Sequence, residues 1–131
     1  MKTPEVLLLD DEPIVGNRLH GTLEKMGCRV DVFQEPLMAL KRIKEHCFDV
    51  VVTDIMMDKV NGIEVLEQVR KACTKTKVII ITGFATTDLA REAMEKGAFD
   101  MIAKPFRPGD LRTMVQRALH ELGFPLENPE S

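Results

Sequence analysis

Strand-like segments rich in Val, Ile and Leu alternate along this chain with longer segments in which apolar residues recur every three or four positions. The strand-like segments are Val6–Leu9, Arg29–Phe33, Asp49–Asp54, Lys77–Thr82 and Phe99–Ala103. Short apolar runs bounded by polar residues are typical of strands buried on both faces of a parallel sheet. Arg29–Phe33 alternates polar and apolar residues instead, which predicts a strand near the edge of the sheet.

A helical segment follows each predicted strand. Pro13 and Pro36 suit the first turn of a helix, and Gly27 and Gly97 stand where a helix is expected to end. The last helix has the clearest apolar face, formed by Leu111, Met114, Val115, Ala118, Leu119 and Leu122. Strands and helices that alternate through short loops require right-handed crossovers. The pattern therefore predicts an α/β fold in which helices cover both faces of a parallel five-stranded sheet.

Composition and charge narrow the class of protein. The chain has 131 residues, of which 44% are hydrophobic, and a net charge of -3. This is the size and composition of one globular domain, which we expect over residues 4–122, followed by a C-terminal tail over 123–131 that is either a frayed end or the start of a linker. A chain without basic excess is not expected to bind nucleic acid directly. Without a long apolar run or a signal-type segment, we expect no membrane insertion and a cytoplasmic location.

The cysteines and histidines suggest no site of their own. Cys28, Cys47 and Cys73 are odd in number, far apart and without C-x-x-C spacing. We therefore expect three reduced thiols rather than a disulfide framework or a zinc site. No pair of the histidines has the spacing of metal ligands, so we expect them to lie on helix surfaces or at helix ends.

Polar side chains follow four of the predicted strands. Strand one is followed by Asp10 and Asp11, strand three ends at Asp54, strand four ends at Thr82, and strand five is followed by Lys104. Each of these residues alone has an ordinary structural explanation as a turn former, a helix cap or a surface charge. In an open parallel sheet, however, the carboxyl ends of the strands share one edge, where ligands bind. We therefore expect these side chains to converge on one site.

Three carboxylates in one place repel one another unless a cation offsets their charge. Oxygen ligands without His or Cys favour a hard cation such as Mg²⁺ or Mn²⁺, which keeps coordination positions open for phosphate oxygens. Lys104 and Thr82 add an ammonium group and a hydroxyl donor, which suit the oxygens of a phosphoryl group in transfer. With these groups present, Asp54 has the surroundings of a nucleophile that forms an aspartyl phosphate.

These residues closely resemble the receiver domain of two-component response regulators, the CheY-like fold. The motifs that carry the resemblance occur in order: the acidic pair Asp10 and Asp11, Asp54 with Gly62 eight residues later, Thr82 followed by Gly83, and Lys104-Pro105-Phe106. The resemblance implies a flavodoxin-like, doubly wound three-layer (βα)5 sandwich with strand order 2-1-3-4-5.

The resemblance also assigns roles to residues. It implies that Asp54 is the phosphoacceptor, that Asp11, Asp54 and the backbone carbonyl of Met56 bind Mg²⁺ directly, and that Asp10 acts through water. Thr82 would hydrogen-bond the phosphoryl group, Lys104 would pair with it, and the peptide between Lys104 and Pro105 would be cis. The phosphoryl donor would be a histidine kinase or a histidine phosphotransfer domain. The output would pass through helix 4, strand 5 and helix 5 to an effector domain or a second copy of the chain.

Three features, at four positions, depart from the family's usual pattern. Asp58 follows Met57 where a proline is usual. Met56 and Phe84, two residues after Asp54 and Thr82, are apolar where receivers that lose phosphate quickly carry polar residues, so we expect a long-lived phosphorylated state. Met101 stands where the family usually has the Tyr or Phe that takes part, with Thr82, in switching.

Three alternatives share part of this pattern. A haloacid-dehalogenase-type phosphatase would need an acid two residues after the nucleophile, where this chain has Met56. A flavodoxin-like electron carrier would bind flavin phosphate after strand one, where the acids Asp10, Asp11 and Glu12 would repel it. A receiver-like interaction module that works without phosphorylation is the third alternative, supported by the three departures.

Overall fold

The computed structural model describes residues 3–57, 60–83 and 87–125. Within these residues the strands are β1 (Glu5–Leu9), β2 (Arg29–Phe33), β3 (Val50–Asp54), β4 (Lys77–Thr82) and β5 (Asp100–Ala103). The helices are α1 (Pro13–Lys25), α2 (Pro36–Glu45), α3 (Gly62–Ala72), α4 (Thr87–Glu95) and α5 (Pro108–Glu121). Some of these bounds differ from the predicted ones, each by one residue, which is within the ordinary uncertainty of element ends.

The strands form one parallel sheet in the order β2-β1-β3-β4-β5, which confirms the predicted fold. β2 lies at one edge of the sheet, as its alternating pattern predicts. β1 and β3 are neighbours, with Leu9 in register with Thr53, so Asp10 and Asp54 come next to each other where the two strands end. The strand order thus decides which of the strand-end acids are adjacent.

The side chains of the central strands alternate between two apolar clusters, because successive residues of a strand point to opposite faces of the sheet. One cluster joins Leu7, Leu9 and Val51 to residues of α2, α3 and α4. The other joins Val6 and Leu8 to residues of α1 and α5. Burial on both faces explains why the central strands are apolar almost throughout. Among the described residues, no helix combines the length and the apolar character needed to cross a membrane.

The backbone at the helix ends follows the sequence signals. Gly27, Gly97 and Gly123 adopt positive φ angles of 93°, 100° and 94° just after α1, α4 and α5, a conformation that costs glycine little. Phe124, in the predicted tail, is only partly exposed and packs against the α1 and α5 cluster. Residues 126–131 lie outside the described residues.

The prediction of three reduced cysteines is wrong for two of them. Cys47 and Cys73 form a disulfide, with their Cα atoms 5.8 Å apart, while Cys28 is free and buried. α2 and α3 pack side by side and both end at the edge of the sheet where the strands begin. The two cysteines follow these helix ends, so residues that are 26 positions apart in sequence meet. Spacing along the chain tests only local motifs and misses a pair that the fold brings together.

Gly62, the first residue of α3, lets the loop after Asp54 return onto the end of β3. Its N–H donates a hydrogen bond of 2.8 Å to the carbonyl oxygen of Ile55. A Cβ atom added at Gly62 would lie 2.6 Å from the carbonyl oxygen of Asp54 and 2.8 Å from the Cα of Ile55. Both are backbone atoms, so neither can move aside without displacing the strand end that carries Asp54.

We predict that Gly62→Ala lowers the free energy of unfolding by about 1–3 kcal/mol, because the added methyl group forces this backbone apart. Gly21→Ala, inside α1, is the matched control, since a Cβ there would meet nothing within 4 Å. It should raise the free energy of unfolding by about 0.5–1 kcal/mol through helix propensity. Urea unfolding followed by circular dichroism measures both. Equal effects of the two substitutions would contradict the close approach at Gly62.

Candidate functional site

The ammonium group of Lys104 lies among three carboxylates at the edge where the strands end. Its Nζ is 3.0 Å from Oδ2 of Asp54, 3.3 Å from Oε1 of Glu12 and 3.7 Å from Oδ2 of Asp10. Burial by itself would lower the pKa of Lys104, but the hydrogen bond and charge of Asp54, with the charge of Asp10, outweigh it and raise the pKa. The side chain is therefore a fixed positive charge at neutral pH.

The backbone around Lys104 is held by β4. The N–H of Lys104 donates a 2.7 Å hydrogen bond to the carbonyl oxygen of Thr82. The last residue of β4 thus positions the residue that directly follows β5. The Lys104–Pro105 peptide is cis, as the family resemblance implies. The ion pairs and this backbone bond together fix the ammonium group over the end of β3.

Asp54 is 5% exposed at the end of β3. Oδ2 accepts the hydrogen bond from Lys104, and Oδ1 accepts one of 3.3 Å from the N–H of Met56. The carboxylate is thus oriented by one charged donor and one backbone donor. It lines an open cleft of about 390 Å³ whose other lining residues are Asp11, Glu12, Met56, Gly83 and Lys104.

Asp10, Asp11 and Glu12 form a second acidic group beside Asp54. Their carboxylate oxygens lie within 4.8 Å of one another, with Asp10 buried and the other two exposed. Oδ1 of Asp10 accepts a 2.8 Å hydrogen bond from the N–H of Glu12. Oδ2 of Asp10 is buried and has no hydrogen-bond partner among the described residues. Buried acceptors are normally satisfied, so this atom indicates a place for a further partner.

The electrostatics of Asp10 agree with this interpretation. Burial, as the largest cause, raises the pKa of Asp10, and the charges of Asp54 and Glu12 add to it, against the hydrogen bond from Glu12 and the charge of Lys104. The lysine thus offsets only part of the negative charge at the site. Closely spaced carboxylate oxygens, one of them buried and unsatisfied, fit a hard divalent cation coordinated by oxygen.

The remaining predicted residues lie at the same edge or just behind it. Thr82 ends β4, is 2% exposed and pairs in register with Ala103, so it lies next to the strand end that leads into Lys104. Met101, in β5, pairs with Ile80 of β4 and packs, partly buried, against the α2, α3 and α4 cluster. Met56 is 58% exposed at the cleft. Asp58 and Phe84 lie outside the described residues.

Glu12 is a site residue that the sequence prediction did not include. It directly follows the acidic pair, and its carboxylate reaches Lys104 although it is 63% exposed. The sequence signal was present in the run Asp10-Asp11-Glu12, but a surface glutamate before a helix has many ordinary explanations. Only its distance to Lys104 connects it to the site.

Comparison with protein families and curated proteins gives consistent matches. The family model described as the response regulator receiver domain matches residues 6–116. The C4-dicarboxylate transport transcriptional regulatory protein DctD of Pseudomonas aeruginosa is 37% identical over 127 residues, covering 95% of this chain and 27% of that protein. The regulatory protein AtoC of Escherichia coli is 36% identical over 114 residues, covering 87% of this chain and 25% of that protein. The chain thus spans about a quarter of the length of these relatives.

Solved structures share the fold over nearly the whole chain. The CheY-like receiver domain protein from Methanospirillum hungatei superposes with a TM-score of 0.88 at 27% identity, covering 92% of this chain and 96% of that one. The beryllofluoride-activated NtrC4 receiver domain dimer superposes with a TM-score of 0.84 at 32% identity, covering 89% of this chain and 97% of that one.

We predict that Asp10→Asn stabilises the protein in the presence of EDTA. The substitution removes a buried charge but keeps an oxygen that can accept the hydrogen bond from Glu12, so the free energy of unfolding at pH 7 should rise by about 1 kcal/mol. The folded-state pKa of Asp10 lies above its ordinary value of 3.8, so the parent carboxyl becomes neutral in the fold as the pH falls. The advantage of the variant should therefore shrink between neutral pH and about pH 4.

Asp11→Asn is the matched control for this measurement. Asp11 is exposed, so its substitution should change the free energy of unfolding by less than about 0.5 kcal/mol. Urea unfolding of the three proteins at a series of pH values provides the data. An Asp10→Asn protein less stable than its parent at pH 7 would show that the charge of Asp10 is fully compensated by Lys104.

Proposed function

The chain belongs to the response regulator receiver domain family, and on this premise we propose that Asp54 is the residue that accepts the phosphoryl group. The observation that carries the proposal is the ion pair of 3.0 Å between Lys104 and Asp54, next to the acidic group at the end of β1. Among the strand-end acids, Asp54 alone combines a charged donor, a backbone donor and a position lining the open cleft. We take residues 4–122 as the receiver domain.

We further propose that the site binds Mg²⁺, with Mn²⁺ as a substitute. Asp11, Asp54 and the backbone carbonyl of Met56 would bind the ion directly, and Asp10 would act through a bound water. The clustered carboxylate oxygens and the unpartnered Oδ2 of Asp10 support this assignment. When bound, the ion would neutralise the carboxylates and attract the oxygens of the incoming phosphoryl group. Glu12 lies close enough to take part through a second water molecule.

The residues of the chain suit an in-line phosphoryl transfer. A carboxylate oxygen of Asp54 attacks the phosphorus of a phosphohistidine, the P–N bond breaks, and the imidazole leaves with the bonding electrons. Lys104 then pairs with a phosphoryl oxygen of the product, and the hydroxyl of Thr82 donates a hydrogen bond to another. Because the backbone of Lys104 is anchored to β4 and its ammonium group already lies 3.0 Å from the Asp54 carboxylate, a small shift of the ammonium group would bring it to the phosphoryl group.

The same residues favour a signalling domain over an enzyme. A phosphatase that turns over needs a general acid two residues after the nucleophile, and Met56 cannot serve as one. The third alternative, an interaction module independent of phosphorylation, leaves the arrangement of Asp10, Asp54 and Lys104 without a purpose. We infer that the domain assists only its own phosphorylation and dephosphorylation.

The phosphoryl donor would be a histidine kinase or a histidine phosphotransfer domain in the cytoplasm. The relatives that the chain resembles include transcriptional regulatory proteins about four times its length, which supports an attached or separate effector domain as the output. We assign the output surface to α4, β5 and α5. Met94 on α4 is 47% exposed and offers an apolar contact there, either for the effector or for a second copy of the chain.

Phosphorylation of Asp54 is tested by incubating the protein with acetyl phosphate and Mg²⁺ and measuring intact mass. We predict the addition of one phosphoryl group to the parent and none to Asp54→Asn. Asp88→Asn, an exposed position in the first turn of α4, is the matched control and should be phosphorylated like the parent. Phosphorylation of the Asp54→Asn protein to the same extent would overturn the assignment of the acceptor.

The decay of the same product after removal of acetyl phosphate tests the predicted lifetime. Since the side chain of Met56 cannot position an attacking water, the phosphorylated state should persist for minutes or longer in Mg²⁺ buffer, and Met56→Asn should shorten it. Loss of the phosphoryl group from the parent within seconds would show that the apolar residue does not protect the product.

The proposed output surface is tested with beryllofluoride and Mg²⁺ by NMR. We predict that the largest shifts of backbone amides beyond the site occur in residues 87–106, because the link between Thr82 and Lys104 joins the site to β5. Met101→Tyr, which restores the usual aromatic residue of the family, should alter the size of these shifts. The Asp54→Asn protein is the control without the adduct. Shifts confined to the neighbours of Asp54 would argue against a switch.

A further inference from the structure

The disulfide between Cys47 and Cys73 lies where the strands begin, at the opposite end of the sheet from the candidate site. Cys47 is in the loop between α2 and β3, and Cys73 directly follows α3. The two sulfur atoms thus close a covalent ring over residues 47–73, which contains β3, Asp54, the loop after it and α3. Nothing in the proposed phosphorylation chemistry uses this bond.

The two ends of the bond differ in exposure. Cys47 is exposed, while Cys73 is 7% exposed. Both line an open groove of about 390 Å³ together with Phe48, Lys75 and Thr76. A small thiol can therefore approach Cys47 from solvent more readily than the buried Cys73. Exposed disulfides exchange with thiols more readily than buried ones.

The loops that carry the cysteines are also held together without the bond. The hydroxyl of Thr76 donates a hydrogen bond to the carbonyl oxygen of Phe48, and the N–H of Lys77 donates one of 3.0 Å to the carbonyl oxygen of Asp49. The N–H of Cys73 donates a 2.7 Å hydrogen bond to the carbonyl oxygen of Val69, which fixes Cys73 at the end of α3. These bonds keep the two thiols close after reduction, so the same disulfide can form again.

We propose that Cys47 and Cys73 form a reversible redox site that exchanges with soluble thiols. A thiolate attacks Sγ of Cys47, the S–S bond breaks, and Cys73 leaves as a thiolate that takes up a proton. A second thiolate attacks the sulfur of the first thiol in the mixed disulfide and releases Cys47, which is also protonated. Two thiols are oxidised to one disulfide while the protein disulfide gains two electrons, and the proposal does not depend on the role of Asp54.

Opening the ring changes the stability of the domain more than its folded shape. The bond restricts the unfolded chain over residues 47–73, and its loss returns that freedom, whereas the hydrogen bonds between the loops preserve the native arrangement. We expect Tm to fall by about 10 °C on reduction, with an unchanged circular dichroism spectrum. The oxidation state of this pair would thus set the stability of the segment that carries Asp54.

The test combines native alkylation with thermal unfolding. The protein is equilibrated with glutathione mixtures, treated with iodoacetamide without denaturant, and mapped by peptide mass spectrometry. We expect a Cys47–Cys73 disulfide under oxidising conditions. Under reducing conditions we expect alkylation of exposed Cys47 and, more slowly, of Cys73, which lines the open groove. Cys28, which is buried in the α1 and α5 cluster, should not be alkylated until denaturant is added. In the Cys73→Ser protein, the thiolate of Cys47 should attack oxidised glutathione and keep one glutathione as a mixed disulfide, with release of one reduced glutathione; in Cys47→Ser the same exchange should occur more slowly at Cys73.

The controls separate this site from general effects of thiols. Cys28→Ser should keep the full thiol-dependent shift in Tm, and the double variant Cys47→Ser/Cys73→Ser should have the Tm of the reduced parent and no response to thiols. Three free thiols in the oxidised native protein would overturn the proposal, as would a bond that resists excess thiol in the folded state. A Tm that is unchanged by reduction would overturn the proposed effect of the disulfide on stability.

Discussion

The ammonium group of Lys104, held among the carboxylates of Asp10, Glu12 and Asp54, is the interaction on which the rest of the site depends. Three acids at one strand edge repel one another, and one lysine offsets only part of that charge. Burial raises the pKa of Asp10, and the charges of Asp54 and Glu12 add to this effect, while its buried Oδ2 has no hydrogen-bond partner among the described residues. This imbalance is a cost to the fold without a cation, and a divalent cation such as the proposed Mg²⁺ would offset it.

The same lysine connects the chemistry to the fold. Its backbone N–H is bonded to Thr82 and its side chain to Asp54, so the ends of β3, β4 and β5 meet at one residue. A phosphoryl group on Asp54 would compete for the ammonium group and for the hydroxyl of Thr82. Movement at that point would reach β5 directly, where Met101 packs between the sheet and its helices. A thioether is more flexible than an aromatic ring and transmits such a movement less rigidly.

The carboxyl-terminal and amino-terminal ends of the strands carry different features. At one edge, loops hold charged groups that are only partly compensated, and the close packing of Gly62 on Asp54 keeps them in place. At the other edge, hydrogen bonds between loops and the disulfide of Cys47 and Cys73 tie β3 to α3. β3 runs between these two ends of the sheet, so the strand that carries Asp54 is constrained at both of its ends.

The amino-acid sequence by itself determined the elements, the parallel sheet and the positions of Asp10, Asp11, Asp54, Thr82 and Lys104 at its edge. It could do so because apolar periodicity is local and because parallel strands end on the same side. Tertiary structure alone decided that Glu12 reaches Lys104, that Oδ2 of Asp10 lacks a partner, and that Cys47 meets Cys73. These features depend on distances between residues far apart in sequence, which are set by how helices and loops pack and which no spacing along the chain records.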